Sequence, residues 1–277
     1  MPRSFHVFRR FCAIFGTLFL LGACASDDRG GTQIGTDIFL DRAAPELYTE
    51  AMNKLLDGDL RSANDAFNEV ERQHPYSVWA TKAKLMVAYT FYLRNKYDEA
   101  INALDRFIQL HPGNPDAPYA YYLKALSYYE RISNVRRDQA MTLHAIEAFD
   151  VLVRRFPDSK YARDARLKIE FAHNQLAGQE MEVGRYYLRR DNYVAAIKRF
   201  RYVVERYQNT AQVAEALHRL TESYVALGLL DEARKTAAVL GYNFPGSPWY
   251  QDSYDLLTKK KLQPMVAANP PSDAAKN

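Results

Sequence analysis

Apolar residues recur at helical spacing through residues 44–258, and a short pattern returns within that stretch. A small residue is followed four positions later by an apolar, usually aromatic one, and then by a proline. Ala63, Phe67 and Pro75 form the first set, Ala100, Leu104 and Pro112 the second, and Ala145, Phe149 and Pro157 the third. Ala196 and Phe200 begin a fourth, with Gln208 where proline is expected, and Ala233, Ala237 and Pro245 form the fifth. The alanines lie 37, 45, 51 and 37 residues apart. Turn signals precede most of these segments: Asp57-Gly58-Asp59, Asn95-Lys96-Tyr97, Asp191-Asn192-Tyr193 and Leu227-Gly228-Leu229. The pattern predicts five helix pairs. The small residue lets the second helix of a pair cross the first closely. The proline stops that second helix, because it lacks an N–H and restricts the residue before it. The matching small position on the first helix is Ala51, Ala88, Ala125 and Gly184; the fifth pair departs with Thr221.

Such pairs resemble the tetratricopeptide repeat (TPR), a helical hairpin of about 34 residues. The resemblance implies an all-α fold: a right-handed superhelical solenoid of about five TPR hairpins over 44–258, roughly 44–77, 78–116, 117–160, 161–210 and 211–247. No hairpin buries its apolar face alone, so the stack forms one continuous core. Two spacings are long. The third unit carries about eight extra residues around Ser133 to Gln139, expected as a loop between its helices. An added helical segment, roughly Tyr161 to Leu176, is expected before the fourth.

The chain before residue 44 follows other rules. Arg3, Arg9 and Arg10 precede an apolar run, Phe11 to Leu21, too short to span a bilayer comfortably. Leu21-Gly22-Ala23-Cys24 follows: small residues ending a secretory signal, with a cysteine where cleavage would leave it first. These four positions resemble the lipobox of bacterial lipoproteins. The resemblance implies a signal peptide over 1–23, a diacylglycerol on the Cys24 sulfur and a palmitoyl chain on its amine. Several acyl chains anchor stably where one alone is marginal. Ala25, rather than aspartate, is expected to send such a lipoprotein to the outer membrane. Residues 24–43 read as a flexible tether spanning roughly 25 Å as a coil. Residues 259–277, with Pro264, Pro270 and Pro271, read as a disordered tail.

Cleavage changes the charge. The formal value is +4, and the three arginines of the signal leave about +1 on the mature chain. That balance argues against nucleic acid as a partner. Cys12 departs with the signal and Cys24 would be acylated, so the fold must hold without disulfides. Glycine-rich phosphate loops, His-Glu-x-x-His and Cys-x-x-Cys are all missing from the sequence. Gly246-Ser247-Pro248 lacks the nucleophile-elbow pattern. His74 and His111 precede prolines in equivalent turns, which suits a shared structural role, and His144, His173 and His218 are isolated. No catalytic residue, metal or cofactor is expected, and the protein reads as a binder.

Hairpin solenoids bind ligands in the groove lined by each unit's first helix. Counting from the small positions places Tyr48 and Met52 there in the first unit, Tyr89 and Tyr92 in the second, and Tyr119, Tyr122 and Tyr129 in the third. The fourth unit contributes Met181, Arg185 and Arg189, and the fifth Glu215, His218 and Glu222. One half of the groove is therefore aromatic and the other charged. Tyrosine combines a large apolar face and a polar tip with few torsions to freeze, which suits extended, variable peptides.

Several segments narrow the family. Arg106 to Pro115 leads into Tyr119 and Tyr122, Arg137-Asp138-Gln139 follows, and then Arg155-Phe156-Pro157-Asp158-Ser159-Lys160-Tyr161. Together with the lipobox, the tether and the five hairpins, these look like the BamD (ComL/YfiO) family of β-barrel assembly lipoproteins. The resemblance implies a protein on the periplasmic face of the outer membrane, held by its lipid. Its C-terminal half would dock on the POTRA domains of a BamA-type channel subunit, beside other assembly lipoproteins. Its N-terminal groove would receive unfolded outer membrane proteins. An arginine of the fourth unit's second helix that contacts the channel subunit falls, by this resemblance, on Arg199. The alternative is a TPR lipoprotein that scaffolds peptidoglycan or division proteins.

Overall fold

A computed structural model describes residues 42–260 and folds them into eleven helices. Ten form consecutive antiparallel pairs: α1 (Ala44–Leu56) with α2 (Leu60–Gln73), α3 (Val78–Leu93) with α4 (Tyr97–Leu110), α5 (Ala117–Tyr129) with α6 (Ala140–Arg155), α7 (Lys160–Leu188) with α8 (Tyr193–Arg206), and α9 (Val213–Ala226) with α10 (Leu230–Asn243). The last, α11 (Pro248–Lys259), packs on α9 and α10. Each helix touches the next, and α1, α3, α5 and α7 also touch in succession. Residues 1–41, which include the expected signal, Cys24 and nearly all of the tether, lie outside the described residues, as does 261–277. Among the described residues no helix is long and apolar enough to cross a membrane.

The repeated small residues are where the helices cross. Ala51, Ala63, Ala88, Ala100, Ala125, Ala145, Ala196, Thr221 and Ala233 are all fully buried. Gly184 makes a tight crossing: a Cβ there would lie 2.4 Å from Cε1 of Phe200. Phe67, Phe149 and Phe200 are fully buried beside their alanines; each such ring contributes about 1.5–3 kcal/mol. The tight turns inside four pairs need a left-handed residue, and Gly58, Asn95, Asp191 and Gly228 supply it with φ of 81°, 57°, 57° and 73°. Glycine and asparagine or aspartate are the residues that adopt this conformation readily.

The five second helices end alike. The residue after each is His74, His111, Phe156, Tyr207 or Phe244, with φ between −124° and −135° and ψ between 43° and 59°. All five carry rings, so the two histidines serve as cap rings in a set with phenylalanine and tyrosine. Gln208 does not disturb the fourth end: α8 stops at Arg206 and Tyr207 keeps the shared cap geometry without a following proline.

The two irregular spacings are one feature. The added segment before the fourth unit is continuous with that unit's first helix, giving the 29-residue α7. Ala165 in its first half packs with Phe149 and Leu152 of α6, while Ala177 and Met181 in its second half pack with Phe200 of α8. The extra residues between α5 and α6 run along that second half. Gln175 Nε2 donates to the Ser133 carbonyl at 2.5 Å, and Arg136 Nε pairs with Glu182 at 2.9 Å. A Cβ at Gly178 would lie 3.1 Å from the Val135 side chain. The insertion thus covers the part of α7 that α5 is too short to reach.

Candidate peptide-binding face

The seven expected groove residues lie on α1, α3 and α5, and all are partly exposed. Tyr48 meets the ring of Phe67 at 5.5 Å and that of Trp79 at 5.0 Å, with Met52 packed on the same cluster. Tyr89 and Tyr92 of α3 pack with Tyr119 of α5 over Leu123 and Phe107. Tyr92 donates its hydroxyl to Glu130 at 3.2 Å. Tyr122 donates to Asp164 of α7 and stacks on Tyr161 at 5.1 Å. Tyr119 meets the same Tyr161 at 5.5 Å. Tyr129 lies 5.7 Å from Phe171 and beneath Lys168, whose Nζ sits 4.8 Å from the ring centroid.

Burial raises the pKa of Tyr48, Tyr92, Tyr119, Tyr122 and Tyr129. The Glu130 carboxylate adds to the effect on Tyr92, which is pushed up to about 12. The bond to Asp164 adds to it on Tyr122. These hydroxyls stay protonated and act as donors, so the face offers ring surfaces edged by anchored phenols and carboxylates.

Four contributors lie in the first half of α7, a segment to which the repeat pattern assigns no groove face: Tyr161, Asp164, Lys168 and Phe171. Their spacing of three, four and three residues is that of one helix face. That periodicity was readable once the segment joined the fourth unit. Trp79, in the first turn of α3, also belongs to the aromatic set.

The charged half differs from expectation at two places. Met181 is fully buried, facing α8 rather than a groove. His218 is also buried, because α11 covers it: its Nδ1 lies 2.8 Å from Ser253 Oγ and its ring 5.5 Å from that of Trp249. Burial lowers its pKa, favouring the neutral ring. Arg185 does face its neighbours. Its Nη1 lies 2.9 Å from both Glu215 oxygens and its Nη2 2.6 Å from Glu182. Arg219 continues the chain to Glu215 at 3.4 Å and Glu222 at 2.9 Å, and its guanidinium lies 5.3 Å from the Trp249 ring centroid. Arg199 sits elsewhere, 45% exposed on α8 and paired with Glu180 of α7 at 3.0 Å. It shares a shallow cleft with Tyr187, Lys198 and Tyr202.

The profile of the YfiO outer membrane lipoproteins matches residues 41–240. The chain belongs to that family. Among YfiO relatives, outer membrane protein assembly factor BamD of Caulobacter vibrioides is 46% identical over 261 residues, covering 94% of this chain and 86% of its own. The protein of the same name from Rickettsia prowazekii is 46% identical over 211 residues, covering 76% and 84%. A solved structure of the TPR2AB domain–pHSP90 complex of yeast Sti1 aligns at 13% identity and a TM-score of 0.43, covering 79% of this chain and 84% of that one. The YfiO match spans every helix through most of α10 and therefore the whole aromatic face.

Proposed function

We propose that this chain is the YfiO-type lipoprotein subunit of an outer membrane β-barrel assembly machine. It acts by binding and hand-over, with no covalent step. Cys24 carries the lipid that holds it at the periplasmic face of the outer membrane. The continuous aromatic face of α1, α3, α5 and the first half of α7 receives unfolded outer membrane proteins in extended form. Holding a strand there keeps its unpaired edge from aggregating. The C-terminal half docks on the POTRA domains of a BamA-type channel subunit, with Arg199 in the contact. Fixing the groove beside the channel raises the local concentration of substrate.

The observation that carries this reading is the pairing of family membership with seven aromatic or thioether side chains on adjacent first helices. Arg199 suits a contact because it is exposed and its ion pair with Glu180 is a partly solvated one, of the kind worth about 1 kcal/mol or less. The test is recovery of partners from mild detergent through a C-terminal tag, for the natural chain and for Arg199→Glu. The expected result is a large β-barrel protein with POTRA domains in near-stoichiometric amount, reduced by the reversal. Undiminished recovery with Arg199→Glu removes that residue from the contact. Recovery of peptidoglycan synthases or division proteins instead would replace the assembly partner with a cell-wall one.

A further inference from the structure

The connections after α2, α4, α6, α8 and α10 offer five copies of one position. Each begins with the cap ring, passes through proline or Gln208, and presents one residue: Tyr76, Gly113, Asp158, Asn209 or Gly246. Four are small or polar. Tyr76 is a large aromatic and is fully exposed, at 101%. Val78, which opens α3 two residues later, is 73% exposed. Lys82, one turn beyond Val78, is exposed too, with its Nζ 4.9 Å from the Trp79 ring centroid.

This connection also differs in where it lies. His74 Nε2 sits 2.6 Å from the Arg42 carbonyl, so the turn abuts the point where the chain from Cys24 arrives at α1. Arg42 follows Cys24 by eighteen residues, which reach at most about 60 Å when fully extended. The apolar pair is thus on the connection that adjoins the point where the chain from Cys24 enters α1.

We propose that Tyr76, Val78 and Lys82 form a membrane-contact tip, seated in the headgroup region of the bilayer that holds the Cys24 lipid. The inference rests on the lipid-anchored reading above. Tyrosine collects at bilayer interfaces because its ring is apolar and its tip is wet. Lysine lays its stem along apolar surface and raises its ammonium to headgroup phosphates. Two apolar side chains would not hold a domain on a membrane. Beside an acyl anchor they have only to choose which end of the domain meets the lipid. The consequence is orientation. Trp79 follows Val78 and packs on Tyr48, so the first aromatics of the groove stand next to the bilayer.

The full lipidated chain tests this, reconstituted in phosphatidylethanolamine–phosphatidylglycerol vesicles with nitroxide-labelled lipid. Val78→Cys and Lys160→Cys, at the first residues of α3 and α7, are each labelled with nitrobenzoxadiazole. Quenching at 78 is expected to exceed that at 160 by about threefold or more, and to fall toward it when Tyr76→Ser is added. Equal quenching, in chains whose mass carries the acyl groups of Cys24, overturns the tip and leaves the anchor standing. Chains with no acyl mass overturn both. Quenching at 78 that Tyr76→Ser leaves unchanged removes Tyr76 and with it the proposal.

Discussion

The two ends of the helix stack solve the same packing problem with different chemistry. From α1 to the first half of α7, neighbouring first helices are joined by rings: Tyr48 on Trp79, Tyr119 and Tyr122 on Tyr161, Tyr129 on Phe171. From the second half of α7 to α9 they are joined by ions, with Arg185 and Arg219 linked through Glu215. The difference lies in what is left over for a partner. Partly exposed rings keep free faces that any apolar segment can cover. Ion pairs already satisfied within the chain offer little to a substrate without first being broken. The aromatic end is therefore the adaptable one, and the ionic end is set in shape.

The ionic end also depends on the close approach of Gly184 to Phe200, which gives the largest effect to look for. Gly184→Leu would drive a side chain into the buried Phe200 ring, where even a Cβ would be 2.4 Å away. Overpacking of this kind should cost about 3 kcal/mol or more, against about 1 kcal/mol gained in helix propensity. In a stack of repeats that touch only neighbours, the damage should stay local. Hydrogen exchange should quicken in α7 to α10 while α1 to α4 keep their protection. Uniform loss across all eleven helices would mean that the two ends are one cooperative unit.

The next effect should be confined to the other end. Tyr89→Ala with Tyr92→Ala removes two rings from the middle of the aromatic face. Affinity for an extended peptide of alternating apolar residues with an aromatic end should fall about tenfold to a hundredfold, as for truncation of paired aromatic anchors. Helical content should be retained. Unchanged affinity in isothermal titration would remove the aromatic face as the binding site.

Much of the repeat was legible in the chain because short-range rules set it. A small residue at most crossings, glycine, asparagine or aspartate at four tight turns and proline after four of the five second helices act within a few residues. The tyrosines could likewise be assigned to first helices by counting. What could not be read depended on distant contacts. That α7 runs unbroken through 29 residues follows from having α6 on one half and α8 on the other. That Val135 seats at Gly178 links residues 43 positions apart. His218 looked like a groove residue because nothing local announces that α11 will cover it.

The smallest effect concerns the ion chain itself. Bonding to Arg185, then to Arg136, holds Glu182 below its ordinary pKa of 4.5. A carboxylate whose folded pKa is depressed contributes stability at pH above the unfolded value, and loses it as pH falls through the folded one. Glu182→Gln should therefore lower stability by about 1 kcal/mol or less at pH 7, since its partners are partly solvated. The difference from the natural chain should shrink as pH drops below 4.5, because the natural carboxyl is then protonated as well. High salt at pH 7 should reduce it in the same way, by screening the partly exposed partners. Denaturant midpoints for the two chains at several pH values would measure this. A gap that stays constant into acid would mean that Glu182 acts through packing, and that the insertion is held on α7 by Val135 and Gln175 without help from charge.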